Sequence, residues 1–340
     1  MRVGINGFGR MGRLALRAAF GREDVGPLEF VAINEPGATA ETMALLLEFD
    51  SVQGRFGTAC AGADGAVTVG GRTLAYTSHD DPGEIPWSDL GVELVLECSG
   101  RFRTTETVRR HIDRGARRVV VSAPVKDGPP NLVVGVNHES VDLGAHEIVT
   151  AASCTTNCLA PVVRVLHDAI GIERGLVTTI HDPTNTQSVH DHAHKDPRRA
   201  RASQVNLIPT STNSATAVGL IIPELEGKLD AVAVRAPVLN ASITDAVFSM
   251  ANPTTVEEVN ERLTQASEEG PLKGILGVEH RPLVSSDFAG DSRSAIIDLP
   301  STRVTDERLV KVIAWYDNEW GYANRLVELA GMIATATARA

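Results

Sequence analysis

Residues 2–20, RVGINGFGRMGRLALRAAF, leave little choice of local structure. A short run with β-branched residues, RVGIN, ends in GFGRMG, and RLALRAAF behind it carries apolar residues at helical spacing. The chain must pass from strand to helix through a glycine turn, which is how a βαβ crossover begins. The pattern continues along the chain. LEFVAIN reads as a second strand, ETMALLLEF as a helix, and GAVTVGGRTLAY as two strands about a Gly-Gly turn. LGVELVLECSG and ARRVVVSAP are further strands, rich in valine and leucine like sheets covered on both faces, with the helical TTETVRRHIDRG between them.

Beyond TAASCTTNCLAPVVRVLHDAI, a turn opening a long helix, the pattern changes. GLVTTIH, DAVAVRAPV, SITDAVFSM and LVKVIAWYD are strands with hairpin-like or single-helix connections, which predicts a mostly antiparallel sheet. The 340 residues suit two cores. Between the first two of these strands lies a polar stretch of weak period, residues 182–217, of the kind that is functional or disordered. The last helix is read as NRLVELAGMIAT, with ATARA as a frayed tail.

Composition excludes several classes. No apolar run approaches the roughly 18 residues that cross a bilayer. The first residues carry glycines and arginines where a secretory signal would carry its apolar stretch, so a cytoplasmic protein is expected. A formal charge of −11 opposes bulk affinity for nucleic acid or an anionic membrane. Four cysteines in so long a chain suit reduced thiols rather than a disulfide framework.

Gly7, Gly9 and Gly12 have G-x-G-x-x-G spacing between a strand and a helix, and an acid, Glu35, closes the second strand. Together these predict a dinucleotide site: the glycines admit a pyrophosphate to the helix N-terminus, and the carboxylate takes the ribose hydroxyls. Glu35 would also repel a 2′-phosphate, favouring NAD over NADP.

Cys154 and Cys158 are four residues apart. No second Cys or His pair stands at zinc spacing, and an i, i+4 disulfide on a helix has poor geometry. Cys158, among LAPVV, reads as core. Cys154 lies in the polar capping sequence ASCTTN, where the helix dipole lowers a thiol's pKa and makes it a nucleophile. His181, closing LVTTIH, is the candidate base, although spacing alone does not bring it to the thiol. His190, His192 and His194 read as exposed loop residues rather than metal ligands. Lys195, Arg198, Arg199 and Arg201, beside Thr184, Thr210 and Thr212 in an acidic chain, suggest an oxyanion site. Arg235, a charge within the strand AVAVRAPV, needs a partner, and an anion is expected.

GINGFGR, FDSVQGRF, VVVSAPVKD, ASCTTNCLAP, HKDPRRARA, PELEGKLDAVAVR and WYDNEWGYANR stand over nearly the whole chain in an order and spacing that resemble the glyceraldehyde-3-phosphate dehydrogenase family. HDPTNTQ and FDSVQGRF look more like a subgroup encoded beside organoarsenical efflux permeases in arsenic-resistance operons. The resemblance implies an α/β fold: a Rossmann-type NAD-binding domain over residues 1–152, an α+β catalytic domain with a mostly antiparallel sheet over 153–317, and a C-terminal helix, 318–340, returning to the first domain. It implies Cys154 as nucleophile and His181 as base. Ser153, Thr155 and Thr212, with Asn213 beside them, would hold the attacking inorganic anion, and Thr184, Arg199 and Arg235 the substrate phosphate. Arg10, Met11, Ser99, Ser122, Asn318 and Tyr322 join the glycines and Glu35 around NAD.

The implied reaction is oxidation of glyceraldehyde 3-phosphate through a thioester, released by phosphate or arsenate as 1,3-bisphosphoglycerate or 1-arseno-3-phosphoglycerate, in a homotetramer. Glu35 replaces a usual Asp, Asp80 a usual cation, Ala193 a usual Pro and Asn213 a usual Gly. Alternatives are an erythrose-4-phosphate or other aldehyde dehydrogenase, or a non-catalytic NAD-binding regulator; the intact SCTTN speaks against the last.

Overall fold

A computed structural model describes residues 1–125, 127–184 and 186–339. Lys126 of VVVSAPVKD, Asn185 of HDPTNTQ and Ala340 of the tail lie outside the described residues. The chain divides into two compact units, one of residues 1–134, 138–153 and 323–340, the other of 135–137 and 154–322.

The first unit contains β1 (Arg2–Asn6), α1 (Arg10–Ala19), β2 (Glu29–Asn34), α2 (Ala40–Glu48), the short ladder β3 (Phe49–Asp50) and β4 (Gly54–Arg55), then β5 (Cys60–Ala63), β6 (Ala66–Val69), β7 (Arg72–Thr77), β8 (Leu94–Glu97), α3 (Thr105–Asp113), β9 (Arg118–Val121) and β10 (Ile148–Thr150). Its sheet runs β10-β9-β8-β1-β2-β7-β6-β5. The pairs from β10 through β7 are parallel, and β5 and β6 add an antiparallel edge. Because β2 and β8 flank β1 on opposite sides, the strand order reverses there, and the carboxyl ends of β1 and β8 form the switch point where such sheets bind ligands.

The second unit contains α4 (Cys154–Ile170), β11 (Ile172–His181), β12 (Ile208–Ser211), α5 (Ser214–Ile221), β13 (Leu229–Arg235), β14 (Ser242–Met250), α6 (Val256–Glu268), β15 (Leu276–Glu279), β16 (Ala295–Asp298), β17 (Arg303–Thr305), β18 (Leu309–Tyr316) and the start of α7 (Trp320–Arg339). The sheet order is β12-β13-β11-β14-β18-β16-β15, with β17 on β18. Among the described residues of this sheet, only β11–β13 and β15–β16 pair in parallel. In β14 burial alternates strictly: Thr244, Ala246, Phe248 and Met250 are buried and the residues between them are half-buried, the period of a strand with one covered face. α4 packs over β11, β14 and β18.

Two sequence expectations change. The polar stretch 182–217 contains strand β12 and the first turn of α5. The last helix is longer at both ends than expected. Asp317 caps its start by accepting from the N–H groups of Glu319 and Trp320, both at 2.8 Å. Its tail is helical through Arg339 instead of frayed, since alanine is the best helix former and the Thr335 and Thr337 hydroxyls donate back to the Gly331 and Ile333 carbonyls. No helix among the described residues is long and apolar enough to cross a membrane.

Candidate active site

In the first unit the glycines do different work. Gly7 has φ +87°, and a Cβ there would collide with the Ser99 backbone. A Cβ on Gly12 would run into the Gly7 carbonyl, so α1 must stay bare to dock on the turn. Gly9 is the cap of α1, and a Cβ on it would meet nothing within 4 Å. The first turn of α1 carries no acid. An open space over bare backbone at a helix N-terminus is what a pyrophosphate requires, so these residues fit a dinucleotide. Arg10 is ion-paired to Asp50, and Met11 follows it, half-buried, in the first turn. Glu35 braces the turn: one carboxylate oxygen accepts from Phe8 N–H at 2.7 Å, the other from Gly37 N–H at 2.9 Å, and lone pairs remain for ribose hydroxyls.

Ser99 and Ser122 follow β8 and β9, and both lean on Glu97. Ser99 donates its N–H and its hydroxyl to the Glu97 carboxylate, and Ser122 donates its N–H to the Glu97 carbonyl at 2.9 Å. Sequence reasoning passed over Glu97, which is 1% exposed. Its other oxygen accepts from Asn6 Nδ2 at 2.5 Å and meets His111 Nε2 at 3.0 Å. Trp87 Nε1–H points at His111 Nδ1 from 2.9 Å, so the imidazole proton sits on Nε2, facing the carboxylate. The visible signal was an acid closing the apolar run LVLE.

In the second unit Cys154 is the first residue of α4. Parallel strands β11 and β13 pair His181 directly with Arg235 at their ends. His181 Nε2 stands 3.5 Å from Cys154 Sγ. On the other side of the ring, Nδ1 lies 2.6 Å from an Asp182 carboxylate oxygen, 2.8 Å from the Asp182 carbonyl and 2.6 Å from Arg235 Nη1. Only the Asp182 oxygens can accept an Nδ1 proton, so an imidazolium is held by Asp182. Burial, the largest influence on His181, disfavours its charge, but Asp182 and the Cys154 thiolate outweigh it and raise its pKa to about 9. Burial likewise disfavours the Cys154 thiolate; the hydrogen bond and charge of His181, aided by Arg235, more than offset this and lower its pKa. Cys158, fully buried with Sγ 3.7 Å from the Thr244 hydroxyl, has no such partner, and burial pushes it up to about 12.

Arg235, expected to await an anion, finds protein partners: besides its approach to His181, Nη1 donates to the Asp182 carbonyl at 3.0 Å, while its buried Nε bonds to nothing among the described residues. Arg199 donates to the Thr210 hydroxyl at 2.6 Å, on β12 beside β13. The hydroxyls of Thr184 and Thr186 are 3.0 Å apart, and Thr212 bonds Ser214 at the start of α5. Asn213 has φ −103°, outside the left-handed region, so the position does not need glycine. Ser153 immediately precedes α4. The Thr155 hydroxyl turns toward Tyr316 Oη at 3.1 Å, which also meets Thr179 at 2.8 Å. Asn318 and Tyr322 are buried around the start of α7. The structure thus joins Cys154, His181 and Arg235 directly and brings in Asp182, Thr179 and Tyr316, which sequence reasoning missed. The adjacency of Asp182 to His181 was its only signal.

Profiles of two families match the chain: the glyceraldehyde 3-phosphate dehydrogenase NAD binding domain over residues 1–105, and the C-terminal domain of the same enzyme over residues 153–318. The chain is 57% identical to glyceraldehyde-3-phosphate dehydrogenase 3 of a Nostoc species, over 98% of each sequence. It is 47% identical to glyceraldehyde-3-phosphate dehydrogenase 2 of Streptomyces arenae over 99% of each, and 46% identical to the Geobacillus stearothermophilus enzyme over 98% of each. With a dinucleotide turn in one unit, a thiol–imidazole pair in the other and likeness over both, the chain belongs to the glyceraldehyde-3-phosphate dehydrogenase family.

Proposed function

We propose that the protein is an NAD-dependent glyceraldehyde-3-phosphate dehydrogenase that oxidises D-glyceraldehyde 3-phosphate through a thioester on Cys154. The observation that carries this reading is the 3.5 Å approach of His181 Nε2 to Cys154 Sγ at the head of α4. The pair starts as thiolate and imidazolium. Sγ adds to the aldehyde carbon, and the Nε2 proton stabilises the oxygen as charge develops there. The imidazole then takes the hydroxyl proton back as the carbon is oxidised, and Sγ holds the acyl group as a thioester until an inorganic anion displaces it. Bound NAD supplies the hydride acceptor.

Gly7, Gly9, Arg10, Met11 and Gly12 would hold the pyrophosphate, Glu35 the ribose, and Ser99, Ser122, Asn318 and Tyr322 the nicotinamide half. Glu35, already fixed by two N–H groups, leaves no room for the charge of a 2′-phosphate, which supports NAD over NADP. Thr184, Arg199 and Arg235 would take the substrate phosphate; Ser153, Thr155, Thr212 and Asn213 the inorganic anion. Residues 1–152 form the cofactor domain in this reading and 153–317 the catalytic one. A reducing cytoplasm suits an enzyme whose cysteines are all free and one of which must stay a thiolate. A homotetramer is supported by an apolar sheet face: Leu176, Ile180 and Val232 are 70%, 40% and 43% exposed on neighbouring strands.

Initial rates of NADH formation test the reading. Turnover must require glyceraldehyde 3-phosphate, NAD and phosphate together, and Cys154→Ser must reduce it to background. Oxidation without phosphate, releasing a free acid, would point instead to an enzyme of the erythrose-4-phosphate dehydrogenase type. FDSVQGRF and HDPTNTQ favour arsenate as a second anion; a rate with arsenate well above that with phosphate would support a role in arsenate detoxification.

A further inference from the structure

Asn318 has one side-chain hydrogen bond among the described residues: its Oδ1 accepts from the Ser242 hydroxyl at 2.9 Å. The same Ser242 Oγ accepts from Asp182 N–H at 3.4 Å. A hydroxyl has one hydrogen. Because the Asp182 N–H can only donate, Ser242 must offer it a lone pair, and its hydrogen is left for Asn318. That hydrogen selects the oxygen of the amide rather than its nitrogen, so Asn318 presents its NH₂ to the other side. The backbone is pinned as well. The neighbouring Asp317 carboxylate accepts from Asn240 Nδ2 at 2.8 Å, Gly290 N–H at 2.7 Å, and Glu319 and Trp320 N–H at 2.8 Å each. Ser242 and Asn318 are 1% and 7% exposed, so water is a poor substitute for the missing partner.

We infer that Ser242 is a positioning residue for the cofactor: it holds the Asn318 amide with the nitrogen outward, ready for an acceptor such as the carboxamide oxygen of nicotinamide. This rests on the proposed placement of Asn318 beside that ring. The relay also runs back to the residue after the catalytic base, since the Asp182 N–H fixes the direction of the Ser242 hydroxyl. In Ser242→Ala the amide loses the bond that tells its two ends apart, and the flipped form meets the carboxamide oxygen with another oxygen. The apparent affinity then falls with the competent fraction.

The test compares NAD with ADP-ribose, which lacks the nicotinamide, by calorimetric titration of the apo-protein. Asn318→Ala is expected to weaken NAD about tenfold, and Ser242→Ala about three- to tenfold, with ADP-ribose bound as by the parent. Unchanged ADP-ribose binding also reports that each variant is folded. Ser242→Ala added to Asn318→Ala should cost nothing further, because a residue acting through another loses its effect when that other is gone. If Asn318→Ala fails to discriminate NAD from ADP-ribose, the placement of Asn318 itself falls, and the inference with it. If it does discriminate, the inference alone is overturned by any of three results: Ser242→Ala binds NAD like the parent, it weakens both ligands alike, or its loss persists in the double variant.

Discussion

Cys154 and Cys158 lie one turn apart on α4, and burial disfavours the thiolate of both, yet their thiols move in opposite directions. The difference is the partner. A neutral Thr244 hydroxyl cannot offset desolvation, whereas an imidazolium held by Asp182 can. His181→Asn should therefore move the pH midpoint of Cys154 alkylation by iodoacetamide upward, past the ordinary thiol value of about 8.5, because burial would then be opposed only by the charge of Arg235. An unmoved midpoint would separate the two residues in function. Cys154 was legible from its polar capping sequence, and His181 from its place at a strand end. Tyr316 was not, because its importance comes from elements that meet only in the fold, its Oη joining Thr155 on α4 to Thr179 on β11, and Asp182 showed only as the residue after His181. Arg235 was recognised as a charge in need of a partner; in the fold it donates to the Asp182 carbonyl beside the base, and its place among the phosphate-binding residues stays a proposal.

Among the elements, the long strands and the first crossover were plain in the sequence, since β11, β13, β14 and β18 are each at least seven residues long with clear apolar patterns. Strands β12, β15, β16 and β17 were missed: each has four residues or fewer, and β12 contains a proline. Too few residues remain there for a period to show. Helix α7 was recognised but cut short, because a small-residue tail resembles a frayed end until its hydrogen bonds are seen. Within the first unit the packing of its later turns depends on Gly331, where a Cβ would drive into the Val25 carbonyl. Gly331→Ala is thus expected to destabilise the protein by about 1–3 kcal/mol in chemical denaturation, although alanine is the better helix former. A stabilised variant would show that α7 can shift without penalty.

For the whole molecule, the exposed apolar face of the second sheet makes a testable demand. Sedimentation should give a species of roughly four chain masses, and Leu176→Asp, a charge placed on that face, should yield smaller species with a lower melting temperature. A monomeric parent would refute the proposed homotetramer. The pairing of His181 with Arg235 carries a different lesson. The two are 54 residues apart in the chain but neighbours across one rung of parallel strands. The rung itself does not depend on the length of the intervening connection, which is constrained instead by β12 and by the residues proposed around the phosphate. A single codon gained or lost inside β11 or β13 is another matter: it would turn one of the two side chains to the opposite face of the sheet. Natural length variation in this chain should accordingly stop abruptly at the edges of these two strands.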